Sequence, residues 1–461
     1  MSIFKSMNFT SSGFVPFLNT GTLLDISSGA FLPGMNNTMI LNGGLSSTNG
    51  FQGRPQTYKT SIALAMAINA CINYKDCEMW VHDSEYAISS KERISGMSRR
   101  PIDHDRIRLT NPSHESSNGK LLDLPEVHQE IIRLANHKLK HKKDLMVEIP
   151  FLNPKTGKPY QMIIPTIMCI DSLSKAYANS VLSSYDKKEL GDSSNNTIHM
   201  KDGNLKSQFI PHIVSLAAQA SIYFVLTAHI GDKTDMNPMM KSPKILQHMK
   251  STDKPVNVGT QFTFLMSNLV DIRKATLIQN SAKTKSRYPI EGGSPVELSK
   301  ITSVISRCKN NVSGTAVEHI TSQSQSLLIG VTNFDYLSQN NPSGLQGSNT
   351  KIHPWFPEDK LANHTVRGKL RDSYELSRAI EILAQLCFIR NNWNTFNIQG
   401  VDLGINPDKF VDDVLAGNKT MISDICNSRG YWTYDKDDPR KYMSVYDIIY
   451  MLKNDKAPKK K

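Results

Sequence analysis

The stretch GRPQTYKTS, Gly53 to Ser61, holds the residue types best suited to chemistry in this chain. A lysine followed by a threonine at the start of a helix supplies what a nucleoside triphosphate requires. The lysine brings a point charge to the β- and γ-phosphate oxygens, and the threonine hydroxyl serves the accompanying Mg²⁺. Gly53, Lys59 and Thr60 fall in the register of the phosphate-loop pattern G-x-x-x-x-G-K-[ST], with Arg54, Pro55, Gln56 and Thr57 forming the turn between them. Tyr58 stands where the pattern has its second glycine, so three of four fixed positions match and the surroundings must decide.

Three further groups end apolar runs. Asp171 closes TIMCIDS (166–172), an arrangement in which a strand-end carboxylate orients the metal through a water. Glu85 closes EMWVHDSE (78–85), where a carboxylate near the γ-phosphate can orient and deprotonate an attacking water. His82 and Asp83 stand beside it, and either serves equally well as a packing or capping group. His229 closes SIYFVLTAH (221–229); its ring N–H is either a sensor of the γ-phosphate or a satisfied structural group.

Positioning these residues takes a particular architecture. NTMILNG (37–43) reads as the strand before the loop, and TSIALAMAINA (60–70), apolar on nearly all sides, as a buried helix after it. Continuous apolar strands alternating with helical stretches predict an α/β fold, a mostly parallel central sheet flanked by helices. Ligands in such sheets sit beyond the carboxyl ends of the strands, the edge that Glu85, Asp171 and His229 share with the loop. Between 86 and 165 the chain is polar and irregular apart from a helix over DLPEVHQEIIRLANHKLKHKK and a hairpin turning at Gly157. His137 and His141 have the spacing of metal ligands, but Lys138, Lys140, Lys142 and Lys143 around them make a solvated basic face the better reading.

The organisation expected is an N-terminal segment (1–18) suited to be an oligomerisation arm, a core (19–337) with an insertion at about 100–160, a linker (338–354) rich in Ser, Asn, Gly and Pro, a small helical C-terminal domain (355–452) and a basic tail (453–461). NPDKFVDDVLAG and the segment from Ser444 read as helices of that domain. Net charge is +12, which favours a polyanionic partner. The segment 231–259 lacks periodicity and carries Lys233, Lys241, Lys244, Lys250 and Lys254 among apolar side chains, a composition suited to single-stranded nucleic acid. A second such loop, 185–206, carries Lys187, Lys188, Lys201 and Lys206. The six cysteines are scattered without metal-ligand spacing, no apolar run approaches the ~18 residues that span a bilayer, and no secretory leader is evident. A soluble, cytoplasmic protein with no membrane partner is expected, in the host cytoplasm if the chain is phage-encoded.

In order along residues 15 to 335, the chain resembles the RecA-class recombinases, and within them the phage UvsX type. The resemblance rests on NTGTLLDISSGAFLPG (19–34), WVHDSEYAI, MCIDSLS, LTAHI, LVDIRKA (269–275) and VISRCKNNVSG (304–314). UvsX-type loops also place an aromatic residue before the lysine, as Tyr58 does here. The resemblance implies a RecA-like core binding ATP and Mg²⁺, and a homo-oligomeric filament on single-stranded DNA that pairs it with double-stranded DNA and exchanges strands. Such a filament would work with single-strand-binding and mediator proteins in recombination, repair and recombination-dependent replication. It carries Lys59, Thr60, Glu85, Asp171 and His229 into the roles above, makes 185–206 and 231–259 the DNA-binding loops, and makes Arg307 and Lys309 candidates to reach a neighbouring protomer's ATP. Two other readings stay open: a ring-forming replicative helicase on the same core, and a non-catalytic recombination mediator or DNA-binding paralogue.

Overall fold

A computed structural model describes residues 14–33, 39–74, 76–88, 90–110, 123–153, 156–177, 195–232, 243–291, 293–340 and 343–393, with residues 422 and 426. In chain order the first elements are α1 (Leu23–Ser28), β1 (Ala30–Pro33), β2 (Met39–Asn42), β3 (Thr48–Gly53), α2 (Lys59–Ile72), β4 (Glu78–Asp83), α3 (Lys91–Ser95) and β5 (Ile107–Thr110). They are followed by α4 (Leu124–Lys140), α5 (Lys142–Leu145), β6 (Met146–Leu152), β7 (Pro159–Ile163), β8 (Thr166–Asp171), α6 (Asn195–Ala220), β9 (Ile222–Asp232), β10 (Asp253–Pro255) and α7 (Gly259–Leu265). The last are β11 (Asn268–Leu277), β12 (Leu298–Cys308), β13 (Ala316–Ser322), β14 (Ser326–Leu327), α8 (Ile329–Gln339), β15 (Lys351–His353), β16 (Phe356–Leu361), α9 (Val366–Asp372) and α10 (Tyr374–Asn391).

The central sheet has the order β14-β13-β12-β11-β3-β9-β8-β4-β5. From β11 to β5 every pairing is parallel, while β12, β13 and β14 extend the sheet antiparallel. The expected α/β class holds: a mostly parallel sheet flanked by helices. Strand side chains alternate in direction, and here successive residues serve two cores. Ile167, Cys169, Tyr223 and Val225 face the core that includes Ile62, Leu64 and Ile68 of α2. Met168, Ile170, Phe224 and Leu226 face the other, with Val127 and Ile131 of α4 and Ile210 and Ile213 of α6. Burial on both faces explains the unbroken apolar runs of β8 and β9.

The strand that delivers the phosphate loop is not the one expected. Met39–Asn42 pairs antiparallel with Ala30–Pro33 outside the central sheet, and the loop is carried instead by TNGFQG of β3, buried at all six positions. Hydropathy conceals this strand because its stability comes from polar pairing and close approach. Asn49 Nδ2 donates to the carbonyls of Ser46 (2.7 Å) and Phe224 (3.0 Å). A Cβ on Gly50 would lie 2.7 Å from Leu269 and 2.9 Å from Phe262, so only glycine lets α7 and β11 close over the strand.

The lead-in motif is structural. Asp25 takes hydrogen bonds from the backbone of Thr20, Gly21 and Thr22 and from the Thr20 hydroxyl (2.7 Å). Asn73, which caps the end of α2, donates to the Asn19 carbonyl at 2.8 Å, so the motif braces the helix that bears Lys59.

Three organisational expectations are corrected. Residues 195–206 are not loop but the first turns of the long helix α6, and of the 185–206 segment Lys187 and Lys188 lie outside the described residues. The insertion holds the expected helix, α4 with Asp123 as its cap, and the expected hairpin, the antiparallel pair β6–β7 with Gly157 at φ 67°, but it also contributes an edge strand, β5, that was read as irregular. The segment 338–354 does not separate two cores among the described residues. It enters the β15–β16 hairpin, and α10, buried from Leu376 through Ile389 except at Ser377, packs into the same core as α2 and α8. Its covered faces hold Arg378, Glu381 and Gln385 as well as apolar side chains. The further helices expected over 394–452, the tail 453–461 and residues 1–13 of the N-terminal arm lie outside the described residues. At the arm's described end, Phe14 stacks on Tyr160 (ring centroids 4.7 Å apart) of the β6–β7 hairpin. Among the described residues no helix is long and apolar enough to cross a membrane.

Candidate nucleotide site

Strand register assembles the site. Gly53 pairs with His229, Asp83 with Asp171 and Ile170 with Leu226, so the carboxyl ends of β3, β8 and β4 come together on the same edge of the sheet while β9 runs on past them to Asp232. Asp83 then turns the chain: its two carboxylate oxygens accept the backbone N–H groups of Glu85 (3.0 Å) and Ile88 (2.7 Å), which aims Glu85 back over the sheet edge. Of the two neighbours left open by the sequence, Asp83 is therefore the cap, and His82 is a packing group. The His82 ring is buried with neither nitrogen partnered among the described residues, and burial drives its pKa down to about 4.

The loop turns through two left-handed residues, Gln56 (φ 62°) and Tyr58 (φ 61°). Thr57 lies between them and donates to the Arg54 carbonyl at 2.7 Å. A Cβ on Gly53 would sit 2.6 Å from the Thr57 hydroxyl, which accounts for the glycine there. Tyr58 occupies the position where the pattern has its second glycine, and its φ explains the pattern: the backbone must enter the left-handed region to set Lys59 at the first turn of α2. A tyrosine there carries about 1–2 kcal/mol of strain. Tyr58→Gly is accordingly expected to leave ATP binding intact and to raise unfolding stability by up to about 1 kcal/mol, offset in part by the packing of the ring against the core. Chemical denaturation checks this, and a destabilised variant that still folds would show that ring packing outweighs backbone strain.

Lys59 is buried, and its charge acts on both carboxylates of the site. Asp171 Oδ1 accepts the hydroxyls of Thr60 (3.0 Å) and Thr227. Its other oxygen is buried with no partner among the described residues. Burial, helped by the Glu85 charge, pushes the Asp171 carboxyl up to about 6 against the pull of Thr227, Lys59 and Thr60. An orphaned carboxylate oxygen beside a threonine hydroxyl fits a hydrated divalent cation: Mg²⁺ would be held by Thr60 and, through water, by Asp171.

Glu85 Oε1 accepts from His229 Nε2 at 2.6 Å and from the Ser172 hydroxyl. The His229 hydrogen bond above all, with Ser172 and the Lys59 charge, holds the Glu85 carboxyl down at about 2 despite partial burial. Glu85 is thus ionised at neutral pH. Its depressed pKa contributes stability that is present above the ordinary value of 4.5 and is lost as pH falls through about 2. Removing the ring should undo this. In His229→Ala the Glu85 carboxyl is expected to titrate well above the wild-type midpoint, toward the ordinary value, followed by carboxyl ¹³C shifts; an unmoved midpoint would mean that Ser172 and Lys59 alone hold it.

Five side chains singled out in the sequence meet in one crevice: Lys59, Thr60, Glu85, Asp171 and His229. Sequence reasoning missed Ser172 and Thr227, and left Asp83 open between packing and capping. It also missed a latch on the loop, in which Arg54 Nη2 contacts Asp232 (2.5 Å) and Asp253 (2.9 Å) at the two ends of the segment expected to bind DNA. That segment is partly built in: β10 zips antiparallel onto the end of β9, Gln52 Nε2 reaches the buried Met249 Sδ at 3.7 Å, and Arg273 donates to the His248 carbonyl. Lys244, Lys250 and Lys254 are exposed, as is Lys201 on α6, whereas Lys233 and Lys241 lie outside the described residues.

Three further cations lie away from this crevice, two of them expected to act on a neighbouring protomer. Arg307 and Lys309 do not reach the crevice, because Arg307 pairs with Leu269, which pairs with Gly50 at the far side of β3 from Gly53. Lys309 Nζ donates instead to the Leu265 carbonyl at 3.3 Å, and burial and the Arg307 charge pull its pKa down. Lys206 is corrected outright: its ammonium is buried, donates to Asp202 at 2.8 Å and to the Ser174 carbonyl at 3.3 Å, and lies 4.9 Å over the Tyr177 ring. It is turned inward from the helix and presents nothing to a DNA phosphate.

No protein-family model matches the chain, and no curated protein sequence does. Among the solved structures that match is the crystal structure of the RadB recombinase, at 14% identity and a TM-score of 0.33, covering 62% of this chain and 92% of that one. A likeness of that degree says nothing of activity, so function rests on the crevice itself.

Proposed function

We propose that the chain is an ATP-dependent recombinase of the RecA class, of the UvsX type, that assembles on single-stranded DNA and promotes pairing and strand exchange with double-stranded DNA. One observation carries this reading: a phosphate-binding lysine, a metal-binding hydroxyl and carboxylate, and an ionised glutamate meet a histidine at one sheet edge, and the strand bearing that histidine runs on into the basic segment. Lys59 neutralises phosphate charge, Thr60 and Asp171 hold the Mg²⁺ that comes with ATP, and the metal supplies charge stabilisation at the phosphates. Glu85 is within reach of His229 and ionised, so it takes a proton from water once the ring lets it go.

His229 links hydrolysis to DNA. It is bonded to Glu85, and three residues further along β9 Asp232 receives the Arg54 guanidinium. A γ-phosphate that draws on His229 or Arg54 therefore alters the anchorage of 231–259. Arg307 and Lys309 act in this reading on the ATP of a neighbouring copy. Negative-stain imaging of the full chain with a non-hydrolysable ATP analogue, Mg²⁺ and single-stranded DNA tests the proposal. Helical filaments are expected; closed rings would favour a helicase, and neither form would overturn the reading.

A further inference from the structure

The helix that begins at Lys59 is poorly held at its own start. Tyr58, its N-cap, makes no side-chain capping bond, and the loop before it passes through two left-handed residues. A contact from far along the chain meets this turn. Strand β14 packs against α2, and Ser326 at its start donates its hydroxyl to the Ser61 carbonyl, in the first turn of α2, at 3.0 Å. Ser326 pairs with Ser322 across the β13–β14 hairpin, is buried, and has a left-handed backbone, at φ 65°. Glycine is the usual occupant of a left-handed position in a tight hairpin turn, because a Cβ there is strained. The hydroxyl is what serine adds over glycine here, and it is used on the nucleotide-binding helix.

The hairpin turn is itself fixed from the opposite side, by α9. Glu297 accepts the hydroxyls of Ser322 (2.7 Å) and Ser324 (3.1 Å), and its carbonyl accepts the Gln323 N–H at 3.1 Å. Arg367 of α9 grips the Glu297 carboxylate through both terminal nitrogens, at 2.9 and 2.7 Å, and reaches Gln325 Oε1 at 2.8 Å. Bidentate pairs of this kind are the geometrically specific ones, so the turn presents Ser326 from a set position. We infer that Ser326 is a positioning residue for the phosphate-binding turn: through the Ser61 carbonyl it holds Lys59 and Thr60 in place and ties the nucleotide site to α9. This rests on the nucleotide reading of the crevice. The effect falls on binding, because Glu85, Ser172 and His229 are carried by β4, β8 and β9 and do not depend on this bond.

Two substitutions in the full chain separate the hydroxyl from the backbone. Ser326→Gly removes the hydroxyl and relieves the strain, and glycine suits this backbone, so the variant folds; Ser326→Ala removes the hydroxyl and keeps the strain. Equilibrium binding of ATP at millimolar Mg²⁺ and steady-state ATPase with single-stranded DNA are measured for both. Each variant is expected to raise Kd and KM for ATP about 3- to 10-fold, the loss of one neutral hydrogen bond, with kcat kept within about twofold. If the wild-type chain binds ATP and Ser326→Gly binds it equally well, this inference falls and the nucleotide reading stands. If the wild-type chain binds no ATP, both fall. A kcat that drops in step with affinity would also overturn the inference, since the damage would then not be confined to the phosphate-binding turn.

Discussion

Replacing Glu85 by glutamine is expected to slow ATP turnover by about 10²- to 10⁴-fold while ATP stays bound. The carboxylate is ionised at neutral pH, held at about 2 by the His229 hydrogen bond. It is 22% exposed, open enough for a water to reach it from the crevice. Glutamine keeps the size and one acceptor oxygen for His229 but cannot take a proton. The binding groups Lys59, Thr60 and Asp171 are untouched, so affinity should hold. Phosphate release in single turnover, read beside nucleotide retention, separates the two quantities. Unchanged turnover would make the crevice a binding module, the reading in which nucleotide only supports the fold.

The second large effect concerns Lys206, which sequence places among the DNA-binding cations and the fold places in the interior. Lys206→Met removes one member of a pair whose side chains are 0% and 3% exposed, leaving Asp202 buried without its counter-ion. Breaking a buried pair in this way costs about 3–5 kcal/mol. Lys250, by contrast, is exposed. Lys250→Ala should change stability by no more than about 0.5 kcal/mol. It should weaken single-stranded DNA binding and flatten the slope of log affinity against log salt by about 0.7. Denaturant unfolding and salt-dependent DNA titration of both variants check the contrast. A stable Lys206→Met protein with a DNA-binding defect would return that lysine to the DNA surface.

How much of this could be read from residues alone depended on what each element buries. β8 and β9 are apolar on both faces, and Asp171 and His229, the polar residues that end their apolar runs, stand out as groups at a sheet edge. β3 is no less buried, yet TNGFQG reads as a turn because its partners are backbone carbonyls and closely approaching helices rather than apolar side chains. The start of α6 misled for a related reason. Its polar side chains look solvated, but Lys206 and Asp202, four apart on one face, satisfy one another inside. The Ser/Gly-rich stretch at 338–354 resembles a linker, and the burial of α10 on nearly all sides was not legible because its covered faces include Arg378, Glu381 and Gln385.

The site was legible where chemistry needs an uncommon residue at the end of an apolar run. Supporting hydroxyls were not, since a serine or threonine such as Ser172 or Thr227 looks the same in any context. The Arg54 latch and the Arg99–Glu381 ion pair join residues 178, 199 and 282 positions apart, a juxtaposition that only the fold reveals.

The central claim is that Lys59, Thr60, Asp171, Glu85 and His229 form one site for ATP with Mg²⁺. Equilibrium binding of radiolabelled ATP to the full chain at millimolar Mg²⁺, with and without an oligonucleotide, measures it most directly. Saturable retention is predicted for the wild-type chain, with loss on Lys59→Ala and on chelation of the metal. Failure of the wild-type chain to retain ATP under either condition would contradict the account.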